Sequence, residues 1–130
     1  MELNGIYTAL ITPFNDDFSI NEKEYQKVID QIIDEGVHGI VVAGSTGENY
    51  AQSLEERLHL ADLSSKFINK RVKLILGIGG FSRTEDSIIV GKKAKEIGAD
   101  AIMISSPPYA VPTSEENAAN SLYMNKEINL

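Results

Sequence analysis

The sequence predicts an α/β fold in which four strand–helix units follow one another along the chain. Four helix-start signals, each an Asn, Ser or Thr followed three residues later by Glu, recur at intervals of about thirty residues. A short run rich in Ile, Val, Leu and Ala precedes each signal. Because these runs are almost continuously apolar, they are typical of parallel strands buried on both faces. The length fits one compact domain over residues 1–130.

The helix starts follow the capping-box pattern, in which an N-cap side chain and an acid three residues later bind backbone N–H groups that the helix leaves free. The first helix also shows apolar residues at helical spacing, which predicts packing on a sheet rather than a cofactor site. The cap pairs are Asn21 with Glu24, Ser53 with Glu56, Ser82 with Glu85, and Thr113 with Glu116. The apolar residues of the first helix are Tyr25, Val28, Ile29, Ile32 and Ile33.

The predicted strands precede these helices, at residues 6–11, 39–43, 72–78 and 101–105. Gly36 and Gly98 stand before the second and fourth strands, in segments that share one layout, EGVHGIVV and IGADAIMI. Both glycines suit the left-handed conformation that closes a helix.

Two architectures begin with such units, the doubly wound sheet and the (β/α)8 barrel. The even period, without a topological break, favours the barrel. A complete barrel takes about 250 residues, so we expect the chain to cover about half of one, a half-barrel of four βα units. We expect residues 126–130, KEINL, to lead into a fifth strand.

Composition argues against several classes of protein. The net charge of −7, from 19 acidic and 12 basic residues, makes nucleic acid and anionic membrane poor partners. The absence of cysteine excludes disulfides and zinc–thiolate sites. The apolar runs are too short to span a bilayer, and the start of the chain, with Glu2 and no basic segment, is not typical of a signal peptide. We therefore expect a cytoplasmic protein.

Glycines and hydroxyl groups collect where the predicted strands end. In both architectures ligands bind at the carboxyl ends of the strands. These ends read TPF at residues 12–14, GSTGEN at 44–49, GIGG at 77–80 and SSPPY at 105–109.

The strongest local signal is the string Gly44, Ser45, Thr46 and Gly47. Small residues let the backbone approach a ligand, and consecutive loop N–H groups can form an anion-binding nest. No lysine follows, so the string is not a phosphate-binding P-loop, and its neutral donors suit a small carboxylate. The same string is equally typical of a strand-to-helix turn whose Ser and Thr cap backbone groups. The residues alone leave these two interpretations level.

Other candidate groups carry weaker signals. The GIGG string lacks the third glycine of a dinucleotide fingerprint, so it indicates packing, and no cofactor is expected. Glu48 is a candidate general acid or base, but a single acid beside a helix start is more often a structural hydrogen-bonding group. His38, at the entry end of a strand, and His59, within a helix, are expected to be structural, and no metal site is predicted.

Four strings, taken together, point to a family: GIYTALITPF near the start, GSTGENYAQSLEER after the second strand, KLILGIGG at the third and GADAIMISSPPY at the fourth. In these strings the chain resembles the dihydrodipicolinate synthase and N-acetylneuraminate lyase superfamily of pyruvate-dependent class I aldolases. The resemblance covers nearly all 130 residues. It implies a (β/α)8 barrel of which the chain supplies the first four units.

The resemblance also implies roles for particular residues. In the family, a lysine on the sixth strand forms a Schiff base with pyruvate, and a tyrosine on the fifth relays protons. The loop after strand two holds the carboxylate, which assigns Ser45 to the relay and the carboxylate site, Thr46 to the carboxylate site, and Gly44 and Gly47 to the same loop. The resemblance also makes Tyr109 a catalytic candidate alongside Ser45. It matches one of two family tyrosines, one of which reaches into a neighbouring subunit, and which of the two it matches stays open.

The family pattern places the lysine and the relay tyrosine beyond Leu130. No lysine of the chain is predicted at the carboxyl end of a strand, so we expect the chain alone to form no Schiff base and to be inactive. The single tyrosine of PPYAVPT argues against assignment as a true dihydrodipicolinate synthase. Ser45, where the synthases usually have Thr, slightly favours the sialic-acid-lyase and sugar-acid-aldolase branches.

Two functions follow from the sequence. The first is the N-terminal part of a pyruvate-dependent lyase, which binds a 2-keto acid carboxylate and works with a complementing C-terminal half. The second is a non-catalytic half-barrel that acts by self-association as a homo-oligomer, because four units alone leave two open sheet edges and an apolar inner face. The acceptor aldehyde, the oligomeric state and the origin of the chain as a truncated product, fragment or designed half-barrel stay open.

Overall fold

Four parallel strands form one sheet, and each strand is followed by a helix. The computed structural model describes residues 3–130, so the expectation drawn from Glu2 lies outside the described residues. The strands are β1 (Tyr7–Ala9), β2 (Gly39–Val42), β3 (Lys73–Gly77) and β4 (Ala101–Met103). The helices are α1 (Glu22–Asp34), α2 (Leu54–Ile68), α3 (Thr84–Glu96) and α4 (Ser114–Ile128), with a short 3-10 helix at Asn49–Ala51.

The strand order decides between the two architectures. The sheet runs β1-β2-β3-β4, and every neighbouring pair is parallel. A doubly wound sheet reverses its strand order at a switch point, whereas a barrel adds each strand beside the one before it. The four units are therefore arranged as in a (β/α)8 barrel, and the predicted half-barrel topology is confirmed.

The two faces of the sheet differ in burial. One face packs on the helices and forms the core, through Leu10, Ile40, Val42, Leu74 and Leu76. The other face carries Ala9, Val41, Ile75 and Ala101 in register across all four strands. At the rim of this inner face, Ile11 is 52% exposed and Met103 is 40% exposed. The apolar inner face is thus partly uncovered, as predicted.

The helix starts confirm three of the four predicted caps. The side chains of Ser53 and Thr113 accept from the N–H groups of Glu56 and Glu116, and both glutamates complete the capping box by accepting in return. Asn21 accepts from the N–H of Glu24.

The fourth predicted cap, at Ser82, is wrong. Helix α3 begins at Thr84, and its N-cap residue is Arg83, which makes no side-chain capping bond. The Thr84 hydroxyl instead donates to Asn120 Oδ1 of α4 at 3.3 Å. This anchor sets the start of α3 one residue later than a Ser82 cap would place it.

The end of the chain also differs from the expectation. Residues 126–128 continue α4, and Asn129 closes the helix in a left-handed conformation. Met124 and Ile128, four residues apart, are both buried. Gly91 of α3 lies directly against Ile128, so the apolar stripe of α4 continues to the helix end. The KEINL segment is therefore helical for its first three residues rather than the lead-in to a strand.

Other local predictions are confirmed. Gly36 and Gly98 close α1 and α3 with φ values of 84° and 71°. In α1, Tyr25 and Ile29 are buried, and the remaining predicted apolar residues pack against the core. None of the helices within residues 3–130 combines the length and apolar character needed to cross a bilayer.

The caps give a direct test of this fold. Ser53→Ala or Thr113→Ala should each lower the free energy of unfolding by about 1 kcal/mol, because each leaves helix N–H groups without an acceptor. Ser82→Ala is the matched control, and it should change that free energy by less than about 0.5 kcal/mol. Urea unfolding followed by circular dichroism measures all three. An equal loss for Ser82→Ala would contradict the observed start of α3.

Candidate functional site

The carboxyl ends of the four strands are held together by specific contacts. After β1, the Thr12 hydroxyl donates to the carbonyl of Gly47, which follows β2, at 2.9 Å. Arg57 links the ends of β2 and β3 by donating to the carbonyls of Ala43 and Gly79. A side chain at Gly79 would collide with Ser105, which follows β4. The predicted concentration of glycines and hydroxyls at one edge is therefore a compact set of touching loops.

The backbone turns sharply at Ala43, directly after β2. Ala43 has a φ of 54°, in the left-handed region that non-glycine residues rarely adopt. Its carbonyl oxygen accepts from Asn49 Nδ2 at 3.1 Å and from Arg57 Nη1 at 3.5 Å. The same oxygen lies where a Cβ on Gly77 would stand. A glycine at position 77 thus gives this carbonyl the room that the turn requires.

The loop that follows is fixed by its own backbone. Gly47 N–H donates to Gly44 O at 3.1 Å, and Glu48 N–H donates to Ser45 O at 3.0 Å. Gly47 packs closely on the end of β1, since an added Cβ would stand 3.0 Å from Leu10 O. Gly44 and Gly47 are buried, so the two glycines hold the base of the loop while the residues between them project outward.

A buried side-chain network supports the loop from below. Gln52 Nε2 donates to Gly47 O at 2.7 Å and to Thr12 Oγ1 at 3.3 Å. Both Thr12 and Gln52 are buried, and a buried bond that loses one partner leaves the other unsatisfied. The Gly47 carbonyl is therefore held by two donors from different parts of the chain.

Ser45 and Thr46 are exposed at the tip of this loop. Within residues 3–130, neither hydroxyl makes a hydrogen bond to the protein, and neither backbone N–H has a protein acceptor. The capped-turn interpretation required these hydroxyls to bind backbone groups, and they do not. Two hydroxyls and two N–H groups thus stay available to an acceptor from outside, which favours the anion-binding interpretation.

Arg57 was not among the predicted site residues. Its side chain has no exposed surface, and its guanidinium carbon lies 4.8 Å from the centre of the Phe81 ring. Burial lowers the pKa of Arg57 to about 10, so the group remains a cation at neutral pH. The signal in the sequence is spacing, because residue 57 falls on the helical stripe of α2 that buries Leu60, Ala61 and Ser64.

Tyr109 lies after β4 and is fully exposed, with a φ of 68°. Because no other residue covers its ring, the structure does not bring Tyr109 against Ser45. The predicted pairing of these two residues in one site therefore stays a prediction.

The other candidate groups have identifiable places. Glu48 is exposed, and its carboxylate makes no hydrogen bond to residues 3–130, so the structural hydrogen-bonding role expected for it is wrong. His38 Nδ1 accepts from Ile6 N–H at 3.0 Å, and His59 Nε2 lies 2.8 Å from Glu22 Oε1. Both histidines thus have local partners. Across the described residues, no three His, Asp or Glu side chains gather around a possible metal position.

None of the described lysines belongs to the strand-end loops that form the site. Most are on helices, and Lys73 starts β3 at its amino end. Lys70 lies just before it, in the segment that joins α2 to β3. The helical lysines are Lys23, Lys27, Lys66, Lys92, Lys93, Lys95 and Lys126.

An open hollow of about 620 Å³ lies at the opposite end of the sheet, lined in part by Tyr7, His38 and Lys73. In barrels of this type the amino ends of the strands serve stability, and ligands bind at the carboxyl ends. We therefore place the candidate site at the loop of residues 44–47 and not at this hollow.

Comparison with known proteins identifies relatives. A model of the dihydrodipicolinate synthetase family matches residues 2–123. The 4-hydroxy-tetrahydrodipicolinate synthase of Thermodesulfovibrio yellowstonii is 40% identical over 111 residues, and that of Bacillus subtilis is 38% identical over 115 residues. These alignments cover 85% and 88% of this chain but only 38% and 39% of the relatives. The chain thus spans well under half the length of the curated relatives it matches.

Solved structures show the same fold. The 4-hydroxy-tetrahydrodipicolinate synthase from Methylacidiphilum fumariolicum SolV matches with a TM-score of 0.92 and 31% identity, over 99% of this chain and 42% of that one. The N-acetylneuraminate lyase from Mycoplasma synoviae matches with 0.89 and 29%, over 95% and 43%. A protein of the dihydrodipicolinic acid synthase family from E. coli K12, solved in complex with pyruvate, matches with 0.92 and 25%, over 97% and 42%.

Proposed function

The chain belongs to the dihydrodipicolinate synthetase family, and on that premise we propose that its 130 residues supply the carboxylate-binding part of a lyase acting on pyruvate or a related 2-keto acid. The observation that carries this proposal is the exposed, unbonded pair of hydroxyls at Ser45 and Thr46. A relative of known structure has been solved with pyruvate, which supports a ligand of this class.

The chemistry of the donors fits a carboxylate. The hydroxyl and N–H groups of Ser45 and Thr46 are neutral, so they orient a carboxylate without competing with it for protons. Because the loop is already fixed through Gly44 and Gly47, binding orders little additional chain, which favours preorganised recognition. In this proposal Ser45 also takes part in proton transfer to the bound keto acid.

The covalent step needs a lysine amine, which condenses with the keto group and releases water. The described lysines lie on helices or around the amino end of β3, and none lies at the carboxyl end of a strand, where the proposed ligand binds. We propose that this lysine, and a relay tyrosine, belong to the further part of the barrel that would complete the four units of this chain. Tyr109, whose ring is fully exposed, would serve the site of a neighbouring subunit.

A second candidate function is assembly without catalysis. The observation that favours it is the open sheet, since β1 and β4 each have one strand neighbour within residues 3–130. The exposed apolar side chains of Ile11 and Met103 line the same inner face. Unpaired edges beside apolar surface favour association. Restored activity on mixing with a family C-terminal half would support the lyase proposal, whereas association without activity would support assembly.

Binding of pyruvate tests the leading proposal. Ser45→Ala and Thr46→Val should each weaken binding by roughly tenfold or more, because a hydrogen bond to a charged group contributes about 1.5–3 kcal/mol. Titration of the 15N-labelled chain, followed by amide chemical shifts, gives the dissociation constants. Ser82→Ala removes a hydroxyl from the next loop and should bind as the wild type does. A wild-type chain that binds no pyruvate would refute the proposal.

Reductive trapping tests the placement of the covalent step. Incubation with pyruvate and borohydride should leave the intact mass of the chain unchanged, because no described lysine lies at the carboxyl end of a strand. A complete family enzyme treated in parallel is the positive control. A stable pyruvate adduct on any lysine of these 130 residues would show that the proposed division of the site is wrong.

Light scattering tests the assembly proposal. The 14.2 kDa chain should elute with the mass of two or more copies, since burial of the inner face removes apolar surface from water. Met103→Lys, which places a charge on that face, should shift the chain toward the monomer. Ile89→Lys, on α3, is the control and should not. A sharp wild-type monomer at all concentrations would count against assembly.

A further inference from the structure

Arg57 is a buried cation without a carboxylate partner. Its side chain has no exposed surface, and within residues 3–130 no acidic group forms an ion pair with it. Its Nη2 donates to Gly79 O at 2.5 Å and its Nη1 to Ala43 O at 3.5 Å. Its Nε has no hydrogen-bond partner among the described residues. The guanidinium is therefore only partly satisfied.

Such a group is costly to bury. A charge removed from water is ordinarily paired with an opposite charge, because its desolvation penalty is otherwise not compensated. Here only two carbonyl dipoles and the face of Phe81 compensate it. These partners carry no negative charge, so the net positive charge of the guanidinium is not neutralised and can attract other groups nearby. Because the lowered pKa of about 10 is still well above 7, the charge persists at neutral pH.

The guanidinium donates to the carbonyl of Ala43, the residue directly before the candidate loop. Its partner Ala43 stands two residues before Ser45 and three before Thr46, whose donors are free. The chain as a whole carries a charge of −7, which repels an anionic ligand. Glu48 adds an acid beside the loop, but it is exposed and is therefore screened by solvent more strongly than a buried charge. Arg57 is thus the buried, poorly screened charge next to the loop.

We propose that Arg57 determines the specificity of the loop for a carboxylate over a neutral group of the same shape. This inference rests on the proposed function, since it concerns the ligand of Ser45 and Thr46. Arg57 does not touch the ligand in this view. It acts through the field of a fixed buried charge, while the hydroxyls make the contacts.

A purely structural role for Arg57 makes a different prediction. If the guanidinium served only to link Ala43 to Gly79, its loss would weaken the binding of every ligand of the loop equally. If its charge sets specificity, its loss weakens the binding of a carboxylate far more than the binding of a neutral amide. The comparison of pyruvate with pyruvamide, which replaces the carboxylate by a neutral amide, separates the two roles.

The experiment measures both ligands on the wild type, Arg57→Met and Arg83→Met by amide chemical-shift titration. Arg83→Met is the matched control, because Arg83 is exposed at the start of α3 and its removal changes the net charge equally. The preference for pyruvate over pyruvamide should fall about tenfold in Arg57→Met, because the loss removes a poorly screened positive charge near the anion, and stay unchanged in Arg83→Met. Arg57→Lys should restore part of it.

Three outcomes would overturn the proposal: an equal loss for both ligands, no loss in Arg57→Met, or an equal fall in Arg83→Met. If Arg57→Met does not fold, the arginine side-chain NMR spectrum of the wild type decides. The Arg57 resonances should shift more with pyruvate than with pyruvamide, and unchanged resonances would refute the proposal. A wild type that binds neither ligand refutes the proposed function as well. Binding that depends on Ser45 but not on Arg57 refutes this inference alone.

Discussion

The left-handed turn at Ala43 is the constraint on which the site depends. For an L-residue with a side chain, this conformation costs about 1–2 kcal/mol, so surrounding contacts must hold it. Asn49 and Arg57 donate to the Ala43 carbonyl, and Gly77 leaves room for it. The turn ends β2 and sends the chain outward, so that Ser45 and Thr46 reach solvent rather than continue along the sheet.

Close packing of the loops at the strand ends explains the glycines found there. Parallel strands bring their carboxyl ends to one edge, and the loops that leave this edge compete for space. A Cβ at Gly77 or Gly79 would collide with a neighbouring strand end, and one at Gly47 would be in tight contact with the end of β1. Their role is close packing, which agrees with the interpretation of the GIGG string from the sequence. Tight packing at the base leaves the intervening hydroxyls as the exposed part of the edge.

The sequence predicted what local patterns encode. Strand runs, the caps at Ser53 and Thr113, and the helix-closing glycines depend on neighbours in the chain, and they were predictable for that reason. Ser82 failed as a cap because Thr84 is anchored on α4, a contact that no local pattern reveals. Arg57 was missed for a similar reason, since its partners Ala43 and Gly79 lie 14 and 22 residues away. The free state of the Ser45 and Thr46 hydroxyls also required the structure.

The contacts that shape the loop belong almost entirely to the first three units. Thr12, Gln52, Asn49 and Arg57 supply the side-chain hydrogen bonds, and Gly77 supplies the space. β4 adds packing through Met103, whose methyl group would lie 3.2 Å from a Cβ on Gly44. The geometry of the candidate loop is therefore held by contacts within these four units. In the proposed function the covalent step differs, because its lysine would lie outside the described strand ends and approach across the inner face. On that proposal, the open inner face separates a loop that these residues fix from a reaction that needs a further part of the barrel.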